Sequence, residues 1–200
     1  NCSDLLFNVD ILSIFGVGEP MLDPRFGDFV NSGRQGCRLV FFSNGQIMTE
    51  KHIDIILSRP VDQIVFSLDA SSPQTYFKIR GYDLHTFDKV ISNIKLLIDR
   101  RNSRLLSLPE VKIAMVIMLE NFHELPSFIE LAHALGVNGV VVWPLDTEQH
   151  FLDPILRNGW VYDSEVQSIK NIPSSNMGEI KILCKNLSNR YKLTLEWRAK

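Results

Sequence analysis

Three polar clusters, each closing an apolar run, hold the side chains best suited to chemistry: Gly18-Glu19-Pro20, Ser43-Asn44-Gly45 and Ser67-Leu68-Asp69. The first is the most telling. Ile11 to Phe15 reads as a strand buried on both faces, and it stops at Gly16, Gly18, a carboxylate and a proline. Glycines there permit close backbone approach, and Pro20 forces Glu19 towards an extended conformation. Glu19 is thereby presented at the carboxyl end of a strand, where parallel sheets place their ligands, and it suits a ligand ammonium or hydroxyl. The plainer alternative is a tight strand-to-helix turn with a solvated glutamate. Metal chemistry has less support, because Cys2, Cys37 and Cys184 are scattered with no C-x-x-C pair. His52, His85, His123, His133 and His150 lack metal-ligand spacing and read as surface or capping residues. Neither a P-loop nor a G-x-G-x-x-G fingerprint is present, which disfavours an unrelated nucleotide-binding protein.

The elements that must position these groups alternate in type. Strand starts near 11, 38, 63, 112 and 139 are separated by amphipathic helices, so the pattern predicts an α/β fold with parallel strands and right-handed crossovers. Asp23-Pro24 is expected to open a first helix on Phe26, Phe29 and Val30, and Thr49 to cap a second on Ile53, Ile56 and Leu57. Ser72-Pro73 starts a helical turn, and Leu84 to Arg101 carries a long apolar stripe from Phe87 to Ile98. Asn121 and Glu124 have capping-box spacing for a helix that Gly136 ends. Beyond Pro144 the pattern weakens: 150–178 reads as loop and short helical pieces, 179–187 as a helix and 191–197 as a last strand.

Composition bounds the rest. Two hundred residues at 45% hydrophobic and 22% charged need only one domain, read as a βα-repeat core over 1–145 with an extension of the same domain over 146–200. A formal charge of -2 gives no electrostatic case for nucleic acid or an anionic membrane, and points to a small-molecule partner. There is no apolar run long enough to span a bilayer and no visible signal peptide, and the unpaired cysteines fit a reducing cytoplasm. Because the chain opens on Asn1, directly ahead of a core strand, an upstream segment is expected to have been removed.

The ordered motifs V-G-E-P-M-L-D-P, S-N-G, F-S-L-D-A-S-S-P-Q-T-Y and I-R-G, on consecutive strand ends, resemble the radical S-adenosylmethionine superfamily, in particular its peptide-modifying, SPASM-containing branch. The resemblance covers roughly Ile11 to Pro144. It implies a partial (βα)6-type TIM-like barrel with outer helices and its first strand missing. It also implies that Val17, Gly18, Glu19 and Pro20 hold the methionyl ammonium of S-adenosylmethionine, with Val17 replacing the usual first glycine. Ser67 would meet the ribose with Asp69 beside it, and Ser43 and Asn44 would line the adjoining wall. Arg80 matches the arginine that meets the cofactor carboxylate, its alternative being a surface arginine ending a helix. Val116, Asn121, Trp143 and Leu145 are candidates for the adenine, although a tryptophan finishing a buried strand is as often core.

One departure stands out. The C-x-x-x-C-x-x-C loop that supplies three thiolates to a [4Fe-4S] cluster is absent from these residues, so no metal ligand is assigned within the chain. The expectation is a fragment of an iron-sulfur enzyme that cleaves S-adenosylmethionine to a 5′-deoxyadenosyl radical and abstracts hydrogen from a substrate, a peptide among the candidates. The alternative is a cluster-less α/β barrel acting as a binding or scaffold domain.

Overall fold

The computed structural model describes residues 9–14, 18–32, 36–59, 61–145, 155–157 and 160–198. In chain order the regular elements are β1 (Ile11–Ile14), α1 (Phe26–Ser32), β2 (Arg38–Ser43), α2 (Glu50–Ser58), β3 (Gln63–Ser67), α3 (Pro73–Arg80), α4 (Leu84–Ser103), β4 (Glu110–Ile117), α5 (Leu125–Leu135) and β5 (Gly139–Pro144). There follow a hairpin, β6 (Ile155–Arg157) with β7 (Trp160–Tyr162), then α6 (Ser164–Gln167), α7 (Ser174–Tyr191) and β8 (Thr194–Trp197). Six strands form one sheet in the order β1-β2-β3-β4-β5-β8. The alternation of parallel strands and helices is the α/β order that the apolar periodicity predicts.

The chain divides into two compact units, residues 1–67 with 90–112, and residues 68–89 with 113–200. In the first, β2 pairs in parallel with β1 and β3, matching Ile14 to Phe41 and Ser43 to Phe66. Phe26, Val30, Phe41, Ile53, Ile56, Ile64, Phe66, Ile94 and Leu97 fill its interior, each at 2% exposure or less. Removing a side chain of that size from water contributes roughly 1.5–3 kcal/mol. The Phe26 and Phe41 rings meet edge to face with centroids 5.6 Å apart, which locks α1 onto β2. Gly45 sits at φ +71, and a Cβ there would lie 3.1 Å from the Phe66 ring and 3.2 Å from Val90. The turn after β2 therefore needs glycine on both counts. Thr49 caps α2, and His52 completes a capping box with it.

In the second unit, Leu125, Phe128, Ile129, Ala132 and Leu135 bury one stripe of α5, which Gly136 ends in the left-handed conformation. β8 pairs in parallel with β5, and this pairing depends on Gly139, whose missing Cβ would stand 2.6 Å from the Thr194 carbonyl oxygen.

Two local expectations are corrected and a third is met in part. The helix expected to open at Asp23-Pro24 is regular from Phe26, after a 3-10 turn, Pro20–Leu22, but the Asp23 Oδ1 accepts the Arg25 amide at 2.8 Å as an N-cap does, and the carboxylate also pairs with the Arg25 guanidinium. Asn121 and Glu124 form no capping box, since both side chains are committed to more distant groups. The late helix runs over Ser174–Tyr191, and within 150–178 the chain forms the β6-β7 hairpin besides short helical pieces.

Candidate functional site

In the first unit Ser43 and Ser67 are the last residues of the adjacent parallel strands β2 and β3, and Glu19 comes after the end of β1. The Glu19 carboxylate is fixed from three directions. Its Oε1 accepts the Ser43 hydroxyl at 2.8 Å and the Met21 amide at 3.4 Å, and its Oε2 accepts the Asn44 amide at 2.7 Å. Ser43, 3% exposed, also accepts the Gly45 amide at 2.9 Å, and the Asn44 Oδ1 accepts that of Gln46. The polar tripeptide after β2 thus orients the carboxylate presented by the loop after β1. A carboxylate has about four acceptor sites, so two short contacts and one long one set its direction and still leave capacity for a cation. Gly18 is exposed, Pro20 opens the 3-10 turn, and Val17 lies outside the described residues.

In the second unit the groups converge on Asp69, 6% exposed and at φ +62. Its Oδ1 accepts the Val116 amide at 2.8 Å, and its Oδ2 pairs with the Arg80 guanidinium at 2.7 Å. A non-glycine residue in the left-handed region is uncommon, and this one is held by a charge-assisted pair and a strand-end amide. Arg80 ends α3 at 26% side-chain exposure, in an ion pair that the plain surface reading does not foresee.

Asn121 is fully buried. Its Nδ2 donates to the carbonyls of Asp69 and Val116 at 2.8 and 2.9 Å, and its Oδ1 accepts the Met118 amide at 2.9 Å. Both its donors are thus given to backbone, and its place is to tie the end of β4 to the chain leaving β3. Trp143 and Leu145 close β5, with the Leu145 amide on the Ile117 carbonyl. The Arg198 guanidinium lies 4.4 Å from the Trp143 ring centroid and pairs with Glu196 at 2.7 Å, so one indole face carries a cation.

Glu124 is the group the sequence reading misjudged. Its carboxylate accepts the Ser71 amide at 2.7 Å and the hydroxyls of Ser71, Ser72 and Thr75 at 3.1, 2.8 and 2.5 Å. Burial opposes its charge and is the largest single influence, but the hydrogen bonds from Thr75, Ser71 and Ser72 together outweigh it and hold the carboxyl below its ordinary range. The available signal was the hydroxyl-rich S-S-P-Q-T run, which offers one acceptor more donors than a helix start requires.

Two of the three cysteines are among the described residues, and Cys2 lies outside them. Cys184 is buried on α7 and its thiol is pushed up to about 12 by that burial, while Cys37 is half-buried ahead of β2. Among the described residues no three His, Cys, Asp or Glu side chains gather as a metal site, and no helix is long and apolar enough to cross a membrane.

The sequence profile of the Radical SAM superfamily matches residues 11–132. The chain is 28% identical over 155 residues to the tungsten-containing aldehyde ferredoxin oxidoreductase cofactor-modifying protein of Pyrococcus furiosus, covering 76% of this chain and 41% of that protein. It is 35% identical over 136 residues to a probable GTP 3′,8-cyclase of Saccharolobus islandicus, covering 67% of this chain and 41% of that one. The chain therefore spans about two fifths of the length of these relatives. Streptococcus suis SuiB, solved with S-adenosylmethionine, superposes with a TM-score of 0.69 at 12% identity over 95% of this chain and 39% of its own. At that identity the likeness is one of fold.

Proposed function

The chain belongs to the radical SAM superfamily, and on that premise we propose that it forms the S-adenosylmethionine-holding core of an iron-sulfur enzyme acting on a substrate by hydrogen abstraction. When bound, S-adenosylmethionine would supply the radical chemistry for the abstraction, the reducing electron coming from a [4Fe-4S] cluster. Within each unit the donors are of the kinds that cofactor binds. Glu19 takes the methionyl ammonium as a carboxylate already oriented by Ser43 and Asn44. Arg80 meets the methionyl carboxylate, and Asp69 fixes the guanidinium for it. By the family resemblance Ser67 would meet the ribose, with Asp69 following it in the chain, and Val116, Trp143 and Leu145 would be the adenine candidates. Gly18 and Pro20 flank Glu19 in the same loop and would lie beside the ammonium, a place that the resemblance also gives to Val17.

The residues described do not fit a [4Fe-4S] cluster, which needs thiolates converging on one point, and no step is assigned to it within them. The cluster belongs on this reading to the longer protein.

The observation that carries the proposal is the Glu19 carboxylate, held by a hydroxyl and a backbone amide at the carboxyl end of the β1-β2 pair. In the full-length protein Glu19→Gln should weaken calorimetrically measured S-adenosylmethionine binding by about 1.5–3 kcal/mol, the scale of a hydrogen bond to a charged group. An unchanged affinity removes Glu19 from the site. The alternative reading is a cluster-less binding domain. Anaerobic reconstitution decides between the two, since a full-length protein that stays colourless and iron-free supports the second. Comparing 5′-deoxyadenosine release with peptide or with GTP present identifies the substrate class.

A further inference from the structure

The turn from Asn121 to Glu124 grips the chain that leaves β3 at two places. Asn121 holds the Asp69 carbonyl at 2.8 Å, and Glu124 holds Ser71, Ser72 and Thr75 through four hydrogen bonds. Ser72 and Thr75 are the N-cap and first-turn residues of α3, and Arg80 is that helix's last residue. The four donors fill the roughly four acceptor sites of a carboxylate, so Glu124 has no capacity left for a ligand. Its partners are 49 to 53 residues away in sequence, so it is not serving a local turn. A helix is stiff, and Thr75 to Arg80 spans about 7.5 Å, so a tilt of about 10° at the anchored end displaces Arg80 by about 1 Å.

We propose that Glu124 is a positioning residue for the cofactor: it anchors the start of α3 so that Arg80, at the other end, meets the methionyl carboxylate while paired with Asp69. This rests on the assignment of Arg80 made above. Asn121 works with it, fixing the Asp69 end of the same segment.

The test is a double-substitution cycle in the full-length protein, read by calorimetric titration with S-adenosylmethionine and by thermal unfolding, neither of which needs turnover. Glu124→Gln should weaken binding about ten-fold, because the amide turns two amino hydrogens towards groups that are themselves donors. In an Arg80→Ala background the same substitution should change affinity by less than about two-fold, while the fall in Tm is equal in both backgrounds. An equal loss of affinity with and without Arg80 would mean that Glu124 acts only on general stability, and would overturn the proposal. No loss with Arg80 present would overturn it too. If Arg80→Ala alone leaves affinity unchanged, the Arg80 assignment falls and this inference with it. A loss on Arg80→Ala with none on Glu124→Gln leaves the functional reading intact and refutes only the positioning role. Should Glu124→Gln fail to fold, Thr75→Val removes a single donor and must show the same dependence on Arg80.

Discussion

At Glu124 desolvation and hydrogen bonding act on one carboxyl in opposite directions, and the hydrogen bonds prevail, so the folded state favours the ionised form. A carboxyl whose folded value is lowered contributes stability that is complete above its unfolded value, ordinarily 4.5, and is lost as pH falls through the folded one. Urea unfolding followed over a pH series should therefore show stability declining below about 4.5, with a shallower decline in Glu124→Gln. Cys184, buried and with its thiol pushed up to about 12, should resist alkylation at pH 8 until the protein is unfolded, and early labelling would contradict its burial. The residues differ in how far sequence exposes them. Glu19, Ser43 and Asp69 stand where apolar runs stop, so their place at strand ends is visible locally. Asn121 and Glu124 offered a local explanation, a helix cap, that hid hydrogen bonds closing over some 50 residues.

The secondary-structure elements that proved legible carry their own boundary signals. Thr49 caps α2 through the His52 amide, and Thr49→Ala should cost about 1 kcal/mol in chemical denaturation, with no effect on cofactor affinity. Gly45→Ala should cost more, on the order of 1–3 kcal/mol, since it adds a strained positive φ to a Cβ 3.1 Å from Phe66. A stability equal to wild type would mean that the turn relaxes freely. α7 was underestimated because Ser174, Ser175, Asn176 and Gly178 are weak helix formers, yet its first turn forms and Cys184 and Ser188 bury its inner side. The β6-β7 hairpin escaped notice because its strands have three residues each, too few for an alternation to register.

For the molecule as a whole, the sheet order was readable because five of the six strands follow one another in sequence and space, and only β8 joins from beyond the hairpin. The 200-residue chain, reconstituted anaerobically with iron and sulfide, should bind less than one cluster per chain, because its described thiols are a half-buried Cys37 and a sealed Cys184. A stoichiometric brown protein would contradict that. The Arg198 guanidinium resting on Trp143 has a practical consequence as well. An indole's emission responds to the charge beside it, and Trp143 shares the chain with Trp160 and Trp197. A ligand that displaces Arg198 should therefore shift the part of the emission that a Trp143→Phe variant lacks, which turns an ion resting on a ring into an optical signal for that strand end.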